Sequence, residues 1–159
     1  MFVLRVVTAI AAVLVIAVVL WDAFETVILP RRVSRRFRLA RVYARTTWRA
    51  WTAFIRRLPT IERREATAAI YGPIALLALL ALWVSLLIVA FALLLWGLGS
   101  PLTSTGSTAE ATGFGTDLYY SGTTFLTLGL GDVSPLTPLT RAITAVSYTH
   151  LTLPTILRV

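Results

Sequence analysis

The chain has 159 residues, of which 57% are hydrophobic and only 14% are charged; its formal net charge is +8, and all fifteen basic residues are arginine. Soluble domains are nearer half apolar and one quarter charged, so this composition indicates a membrane protein and leaves little apolar sequence for a separate soluble core. Cysteine is absent and the one histidine has no partner histidine, which argues against disulfides and metal sites. The sequence also contains no recognisable pair of a nucleophile and a base, so it gives no sign of an enzyme.

The first predicted element is a transmembrane helix from about Val6 to Leu29, within an N-terminal segment 1–30. Its uninterrupted apolar part ends at Trp21, and because a span needs roughly 20 residues, the helix also includes Asp22 and Glu25 near the cytoplasmic boundary. Either both acids lie at the membrane interface, or one of them faces the interior of a helix bundle and is paired there. Positive charge follows the apolar run, which disfavours a cleaved signal peptide.

Twelve of the fifteen arginines lie between Arg31 and Arg64, where Glu62 is the only acid. Because the block separates two apolar spans, we interpret 31–65 as a cytoplasmic basic segment and not as a nucleic-acid-binding region. Apolar residues at three- and four-residue steps predict an amphipathic helix from Ser34 to Leu58, lying in the headgroup plane with its arginines on anionic lipid. A voltage-sensor helix is disfavoured because too many arginines fall off one stripe. The lipid-facing arginines are predicted to be Arg38, Arg41, Arg45 and Arg49.

The second span is the clearest element of the chain. No charged residue occurs from Ala66 to Ala109, and Ala75 to Leu98 is almost wholly apolar. Trp83 lies too deep for an interfacial belt, whereas Trp96 suits the outer interface. The stretch from Gly99 to Gly115 is rich in glycine, serine and threonine, which predicts a loop on the far side of the membrane.

A short helix is predicted next, from Asp117 to Leu126, with Thr116 or Asp117 as its cap. At about ten residues it is too short to span, so we expect a re-entrant helix. The string that follows has the residues of a selectivity filter, because glycine adopts the alternating left- and right-handed backbone that aims successive carbonyls at one axis. The threonine at its start adds a hydroxyl ring. The predicted ion-binding residues are Thr127, Leu128, Gly129, Leu130, Gly131 and Asp132.

The run from Leu118 to Asp132 resembles the pore region of potassium channels, whose signature is Thr-x-Gly-(Tyr/Phe)-Gly-Asp after a pore helix with aromatic residues. The resemblance implies K⁺ as the permeant ion, no cofactor, and a homotetramer with one filter strand per chain. Leu130 replaces the usual Tyr or Phe, as in some two-pore-domain potassium channels, and Thr123 stands where some channels have glutamate. The resemblance assigns support of the filter, including an aromatic cuff from the two tyrosines, to Tyr119, Tyr120, Thr123 and Thr124.

The two ends of the chain carry weaker signals. The run from Asp22 to Arg32 resembles bacterial channel-like proteins that have an extra N-terminal helix. A third span is predicted to begin near Pro138 and to complete a pore domain at 66–146. Segment 147–159 is unexpectedly polar and resembles translated adapter sequence, so we expect a non-native tail; a genuine polar final helix is the alternative.

Together these features predict an all-α fold of transmembrane helices with a re-entrant pore helix and a filter. We expect a multi-pass protein of the bacterial inner membrane, with the arginine-rich segment cytoplasmic and the N-terminus outside. The predicted function is passive, potassium-selective conduction by a pore-forming subunit. The alternative is a non-conducting membrane subunit, or a scaffold that binds anionic lipid through residues 35–57.

Overall fold

The computed structural model describes residues 2–27, 39–57, 59–99, 102–104 and 113–156. Within these ranges the chain forms five helices and one antiparallel pair of short strands, so the predicted all-α class is confirmed. The elements are α1 (Phe2–Val27), α2 (Leu39–Ile55), α3 (Ile61–Gly97), β1 (Leu102–Ser104), α4 (Phe114–Phe125), β2 (Val133–Pro135) and α5 (Pro138–Ile156).

Two of the helices are long and apolar enough to cross a membrane, namely α1 over Phe2–Thr26 and α3 over Ile61–Gly97. The hydrocarbon core of a bilayer is about 30 Å thick, which a helix crosses in roughly 20 residues. With 37 residues, α3 exceeds that requirement by several turns. Its first turns carry the charged residues, so we assign the excess length to the end that begins at Ile61.

The chain forms two compact units, one comprising 1–17 with 86–159 and the other comprising 18–85. In the second unit, α2 lies against α3: the indole Nε1 of Trp51 donates to the carbonyl of Thr67 at 3.2 Å, and the hydroxyls of Thr47 and Tyr71 are 2.9 Å apart. These contacts occur in opposite order along the two helices, which therefore run antiparallel. The Trp48 ring packs edge-on against Tyr71.

The same unit contains a buried carboxylate. Oδ2 of Asp22, near the end of α1, accepts hydrogen bonds from the indole Nε1 of Trp83 and from the backbone N–H of Ala40, both at 3.1 Å. Asp22 and Glu25 are both buried. The sequence leaves two positions open for these acids, the membrane interface or the interior of a helix bundle. Asp22 faces other helices, and its hydrogen bonds offset the free-energy cost of burying a charge.

In the first unit, α1 and the end of α3 approach very closely. A Cβ atom added to Gly97 would lie 2.8 Å from the carbonyl oxygen of Arg5 and 2.9 Å from the backbone nitrogen of Ala9. Small residues allow such backbone approach between membrane helices. Glycine is therefore required at this crossing by space, not by its φ.

The remainder of the first unit is organised around the two strands, which pair in the register Leu102↔Pro135. Leu102 is fully buried and packs with Leu95 of α3 and Tyr120 of α4. Because β1 precedes α4 and β2 follows residue 132, the sheet joins the chain on both sides of the predicted pore helix and filter. Both ends of that segment are thereby tied to one core.

Several boundaries differ from the sequence predictions. The capping prediction was wrong: α4 begins at Phe114 after Gly113, which makes no side-chain capping bond, and Asp117 is buried within the first turn. A carboxylate in the first turn of a helix still interacts favourably with the positive end of the helix macrodipole, which explains why Asp117 is tolerated there. The helix α5 continues through the polar residues from Ser147 to Ile156. The proposed ends of the first span at Leu29 and the start of the basic helix at 34–38 lie outside the described residues, and a non-native tail stays a prediction.

Candidate functional site

The chain leaves α4 through a specific hydrogen-bond pattern. The N–H of Thr127 donates to the carbonyl of Thr124 at 3.0 Å, and the N–H of Leu128 donates to the carbonyl of Thr123 at 2.8 Å. This pair of bonds is the Schellman motif, which ends a helix with one residue in the left-handed region. That residue is Thr127, with φ = 57°.

The handedness of the backbone then alternates along the predicted filter. Positive φ values occur at Thr127 (57°), Gly129 (55°) and Gly131 (73°), whereas Leu128 and Leu130 have none. Alternation of this kind turns successive peptide planes so that neighbouring carbonyls fall on one side of the strand. A Cβ at either glycine would meet nothing within 4 Å, so the backbone conformation alone requires glycine there.

Thr127 is the one strained residue of this string. A β-branched side chain at positive φ is an outlier, with a cost on the order of 1–2 kcal/mol relative to glycine. Its Oγ1 donates to the carbonyl of Leu126 at 2.7 Å, and the residue remains exposed. Strained backbone concentrates at functional sites, which makes this threonine a candidate for a direct role.

The outer end of the string is tied back to α4. The hydroxyl of Tyr119 donates to Oδ2 of Asp132 at 2.7 Å, and Oδ1 of Asp132 accepts from the N–H of Val133 at 3.1 Å. The hydrogen bond to Asp132 is the main cause that raises the pKa of Tyr119 above its ordinary value, with smaller contributions from desolvation and the carboxylate charge. The pair therefore links the pore-helix candidate directly to the last residue of the predicted filter.

Of the other predicted support residues, Tyr120 joins α4 to α5, whereas the hydroxyl of Thr123 bonds within α4. Tyr120 is buried, with its hydroxyl 3.0 Å from Oγ1 of Thr144 on α5. Thr124 is buried as well, and Oγ1 of Thr123 donates to the carbonyl of Tyr120 at 3.1 Å. The two tyrosines thus have different partners, and only Tyr119 is bonded to a residue of the predicted filter.

Sequence reasoning missed Ser121. Its Oγ donates to the carbonyl of Ile88 on α3 at 2.8 Å. The same two helices also meet through the Phe91 and Phe125 rings, whose centroids are 6.5 Å apart. A serine in the middle of a short helix between aromatic residues gives little local signal, because its partner lies 33 positions away in the chain.

The predicted lipid-facing arginines lie on α2, in the other unit. Arg41, Arg45 and Arg49 are exposed and recur at four-residue steps, so they share one face of the helix. Thr47 and Trp51, which contact α3, lie on a different face. Arg38 lies outside the described residues.

Comparison with known families decides the class of the protein. A family model described as an ion channel matches residues 76–159, just over half of the chain. The chain belongs to the ion channel family. The matched domain is of the two-helix, potassium-channel type, which confirms the resemblance carried by Leu118 to Asp132. Neither a curated protein nor a solved structure matches the chain.

The channel match begins inside α3 and includes α4, the alternating string and α5. Ion conduction is the activity of this family, which is not a class of enzymes. The two apolar helices of membrane length and the channel domain together indicate a membrane protein. Helices α1 and α2 precede the matched region.

Proposed function

We propose that this channel conducts potassium passively and selectively, as one pore-forming subunit of a homotetramer. The observation that carries the proposal is the alternation of positive φ at Thr127, Gly129 and Gly131. A narrow pore must replace the hydration shell of K⁺ with oxygens, and rings of backbone carbonyls do so when several chains each supply one such strand. The proposed ion-binding residues are Thr127, Leu128, Gly129, Leu130, Gly131 and Asp132.

The side chains around the string support assembly around an axis. Leu128 and Leu130 are 60% and 61% exposed in the single chain, and Leu126 and Tyr119 beside them are exposed too. Apolar groups next to a polar backbone string need a cover, and cyclic symmetry supplies one by packing each string against the next subunit.

Selectivity over sodium requires that the string keep its diameter. Leu130 has no hydroxyl with which to bond behind the string. The bond between Tyr119 and Asp132 fixes the outer end instead, and the Schellman bonds from Thr123 and Thr124 fix the inner end. We therefore propose that Tyr119, Thr123 and Thr124, together with the buried Tyr120, support the filter. The ion that its carbonyls bind is K⁺, with no other cofactor.

The orientation follows from charge. The positive-inside bias puts the arginine-rich segment in the cytoplasm, so α3 runs outward, Asp132 lies at the outer mouth and the N-terminus lies outside. We assign the channel to the inner membrane of a bacterial cell, because the run from Asp22 to Arg32 resembles bacterial channel-like proteins.

The test is potassium flux into liposomes that contain the purified channel. Gly129→Ala should lower the flux at least about tenfold, because alanine at φ = 55° strains the backbone by roughly 1–2 kcal/mol and disturbs the alternation. Gly115→Ala is the matched control: its added Cβ meets nothing within 4 Å, and its φ is not in the left-handed region. Potassium flux that survives Gly129→Ala unchanged would refute the assigned filter, and equal permeability to sodium would refute selectivity.

The alternative function is a non-conducting membrane subunit or a scaffold on anionic lipid. The exposed arginines of α2 are the observation that favours it. A chain that fails to form tetramers in cross-linking or native mass measurements, but still binds anionic vesicles, would support this alternative over conduction.

A further inference from the structure

Helix α4, from which the predicted filter continues, is held by hydroxyl groups on two neighbouring residues. The hydroxyl of Tyr120 lies 3.0 Å from Oγ1 of Thr144 on α5, and Oγ of Ser121 donates to the carbonyl of Ile88 on α3 at 2.8 Å. Tyr120 and Ser121 are both buried. Neighbouring residues of a helix point about 100° apart, so the two bonds meet α4 from different sides.

The direction of the bond to α5 follows from the number of protons. Oγ1 of Thr144 donates to the carbonyl of Thr140 at 2.8 Å, and a carbonyl oxygen can only accept. A hydroxyl has a single proton, so Thr144 must accept from Tyr120. The phenol of Tyr120 is therefore the donor, and the two hydroxyls together join α4 to the backbone of α5.

Apolar contacts hold the same helix without fixing its rotation. Tyr120 packs with Leu95 and Leu102, and the Phe125 ring lies beside Phe91 of α3. Hydrophobic attraction is non-directional, so these contacts resist separation of the helices more than a small rotation of α4 about its own axis. Hydrogen bonds weaken steeply when their angle changes. The two hydroxyl bonds therefore define the rotation of α4.

The rotation of α4 acts on the string through the bonds that end the helix. The carbonyls of Thr123 and Thr124 accept the N–H groups of Leu128 and Thr127. At a backbone radius of about 2.3 Å, a rotation of about 20° moves these carbonyls by about 0.8 Å. The groups of a binding site need to be held within about 0.5 Å of their productive positions. A rotation of that size is therefore enough to disturb the ion-binding carbonyls.

We propose that Ser121 and Thr144 are positioning residues that set the selectivity of the channel for K⁺ over Na⁺ by fixing the rotation of α4. They act through the backbone of α4 and do not touch the ion. The proposal rests on the proposed function, since it concerns the same filter. It adds two residues to which neither the sequence pattern nor the channel resemblance assigns a role.

The test measures the K⁺/Na⁺ permeability ratio from the reversal potential of planar bilayers with K⁺ on one side and Na⁺ on the other. Only channels that conduct contribute to this ratio, so a smaller folded fraction does not by itself change it. Thr144→Val removes the acceptor with little change of shape, and Ser121→Ala removes the donor to α3. Thr144→Ser keeps the hydroxyl and is the conservative variant.

Two hydroxyls elsewhere in the chain provide matched controls. Thr8 of α1 and Ser85 of α3 each donate to the carbonyl four residues earlier in their own helix, as Thr144 does. In the described part of the chain, neither hydroxyl bonds to another element. Thr8→Val and Ser85→Ala therefore remove the same chemical groups without releasing α4.

The ratio should fall about threefold or more in Thr144→Val and Ser121→Ala and stay within about twofold of the wild type in Thr144→Ser and both controls, because a hydrogen bond of ordinary strength corresponds to a factor of roughly two to ten. Tyr120→Phe removes the bond to α5 from its donor end and should reproduce the fall. Because it leaves no donor unpaired, it is the deciding variant if Thr144→Val does not fold. Tyr120→Phe combined with Thr144→Val should lower the ratio no further than either change alone.

The failure of this proposal differs from that of the proposed function. A wild-type channel equally permeable to K⁺ and Na⁺ would refute the proposed function, and this proposal with it. A selective wild type whose ratio is unchanged in Thr144→Val, Tyr120→Phe and Ser121→Ala would overturn the positioning role and leave the assigned filter intact. An equal fall in the two controls, or falls that multiply in the double variant, would overturn the positioning role as well.

Discussion

The crossing of α1 and α3 at Gly97 offers a quantitative test of the fold. Replacing Gly97 with alanine adds one Cβ atom, and three atoms lie in its way: the carbonyl oxygen of Arg5 at 2.8 Å, the nitrogen of Ala9 at 2.9 Å and the Cβ of Ala9 at 3.0 Å. Two of the three belong to the backbone of α1 and cannot rotate aside. The helices must therefore separate by several tenths of an ångström to accept one methyl group.

The matched control lies on the same helix. Gly72 is exposed, and an added Cβ there meets nothing within 4 Å. Alanine has the higher helix propensity by about 0.5–1 kcal/mol, but the ring of Pro73 disfavours a helical residue with a Cβ before it, so Gly72→Ala should change stability by less than about 0.5 kcal/mol. Gly97→Ala gains at most a similar amount from propensity but costs about 1–3 kcal/mol in overpacking. We therefore expect the free energies of unfolding of the two variants to differ by roughly 1–3 kcal/mol.

The measurement is unfolding by sodium dodecyl sulfate in mixed micelles, followed by tryptophan fluorescence and far-ultraviolet circular dichroism. Trp96 lies one residue from Gly97 and is one of the five tryptophans whose summed emission reports on unfolding. If Gly97→Ala proves as stable as Gly72→Ala, the close approach of α1 to the end of α3 is wrong. The free energy of unfolding of Gly97→Ser should be similar to that of Gly97→Ala, because the Cβ of serine meets the same atoms.

Three further predictions concern single side chains. Thr127→Gly should raise the free energy of unfolding by about 1 kcal/mol, because it removes strain at φ = 57°, while selectivity for potassium in liposome flux falls with loss of the hydroxyl; a destabilised variant would contradict this. The ionisation of Tyr119, followed by absorbance near 295 nm, should occur at higher pH than that of free tyrosine and return toward it in Asp132→Asn. Because the pKa is raised, the contribution of this bond to stability is complete below about pH 10 and is lost as pH rises through the folded-state pKa; identical titrations in the two proteins would exclude the bond. Asp22→Leu should lower the free energy of unfolding by about 3 kcal/mol, since it leaves the buried indole N–H of Trp83 unpaired. In a double-mutant cycle, Trp83→Phe combined with Asp22→Asn should lower it by less than the sum of the two single changes. Additive losses would contradict a direct contact.

The sequence predicts the elements that depend on local pattern and fails where contacts are distant. The two long apolar runs predict α1 and α3, and the alternation of glycine after Thr127 predicts the alternating backbone, because each follows from neighbouring residues. The bond from Trp83 to Asp22 joins residues 61 positions apart, and no periodicity reveals it. The role of Gly97 is equally hidden, since a glycine at the end of a helix reads as an ordinary terminator.

The start of α4 shows how a local rule fails. Thr116 and Asp117 are both good capping residues, and their position before a helical run predicts a cap. The helix instead begins at Phe114 with Gly113 before it, and Asp117 is buried. Burial in the first unit outweighs the capping preference, which contributes only about 1 kcal/mol.

Thr127 both ends helix α4 and begins the alternating string. The Schellman bonds to Thr123 and Thr124 require a left-handed residue to end the helix, and the alternating string requires a left-handed residue to begin. Glycine would satisfy both requirements without strain, and a threonine costs on the order of 1–2 kcal/mol more. No contact of its hydroxyl beyond the carbonyl of Leu126 accounts for that cost in the described part of the single chain. A ring of four such hydroxyls, formed only when four chains surround one axis, gives the side chain a function that glycine cannot supply, so the strain at Thr127 is itself an argument for the proposed tetrameric pore.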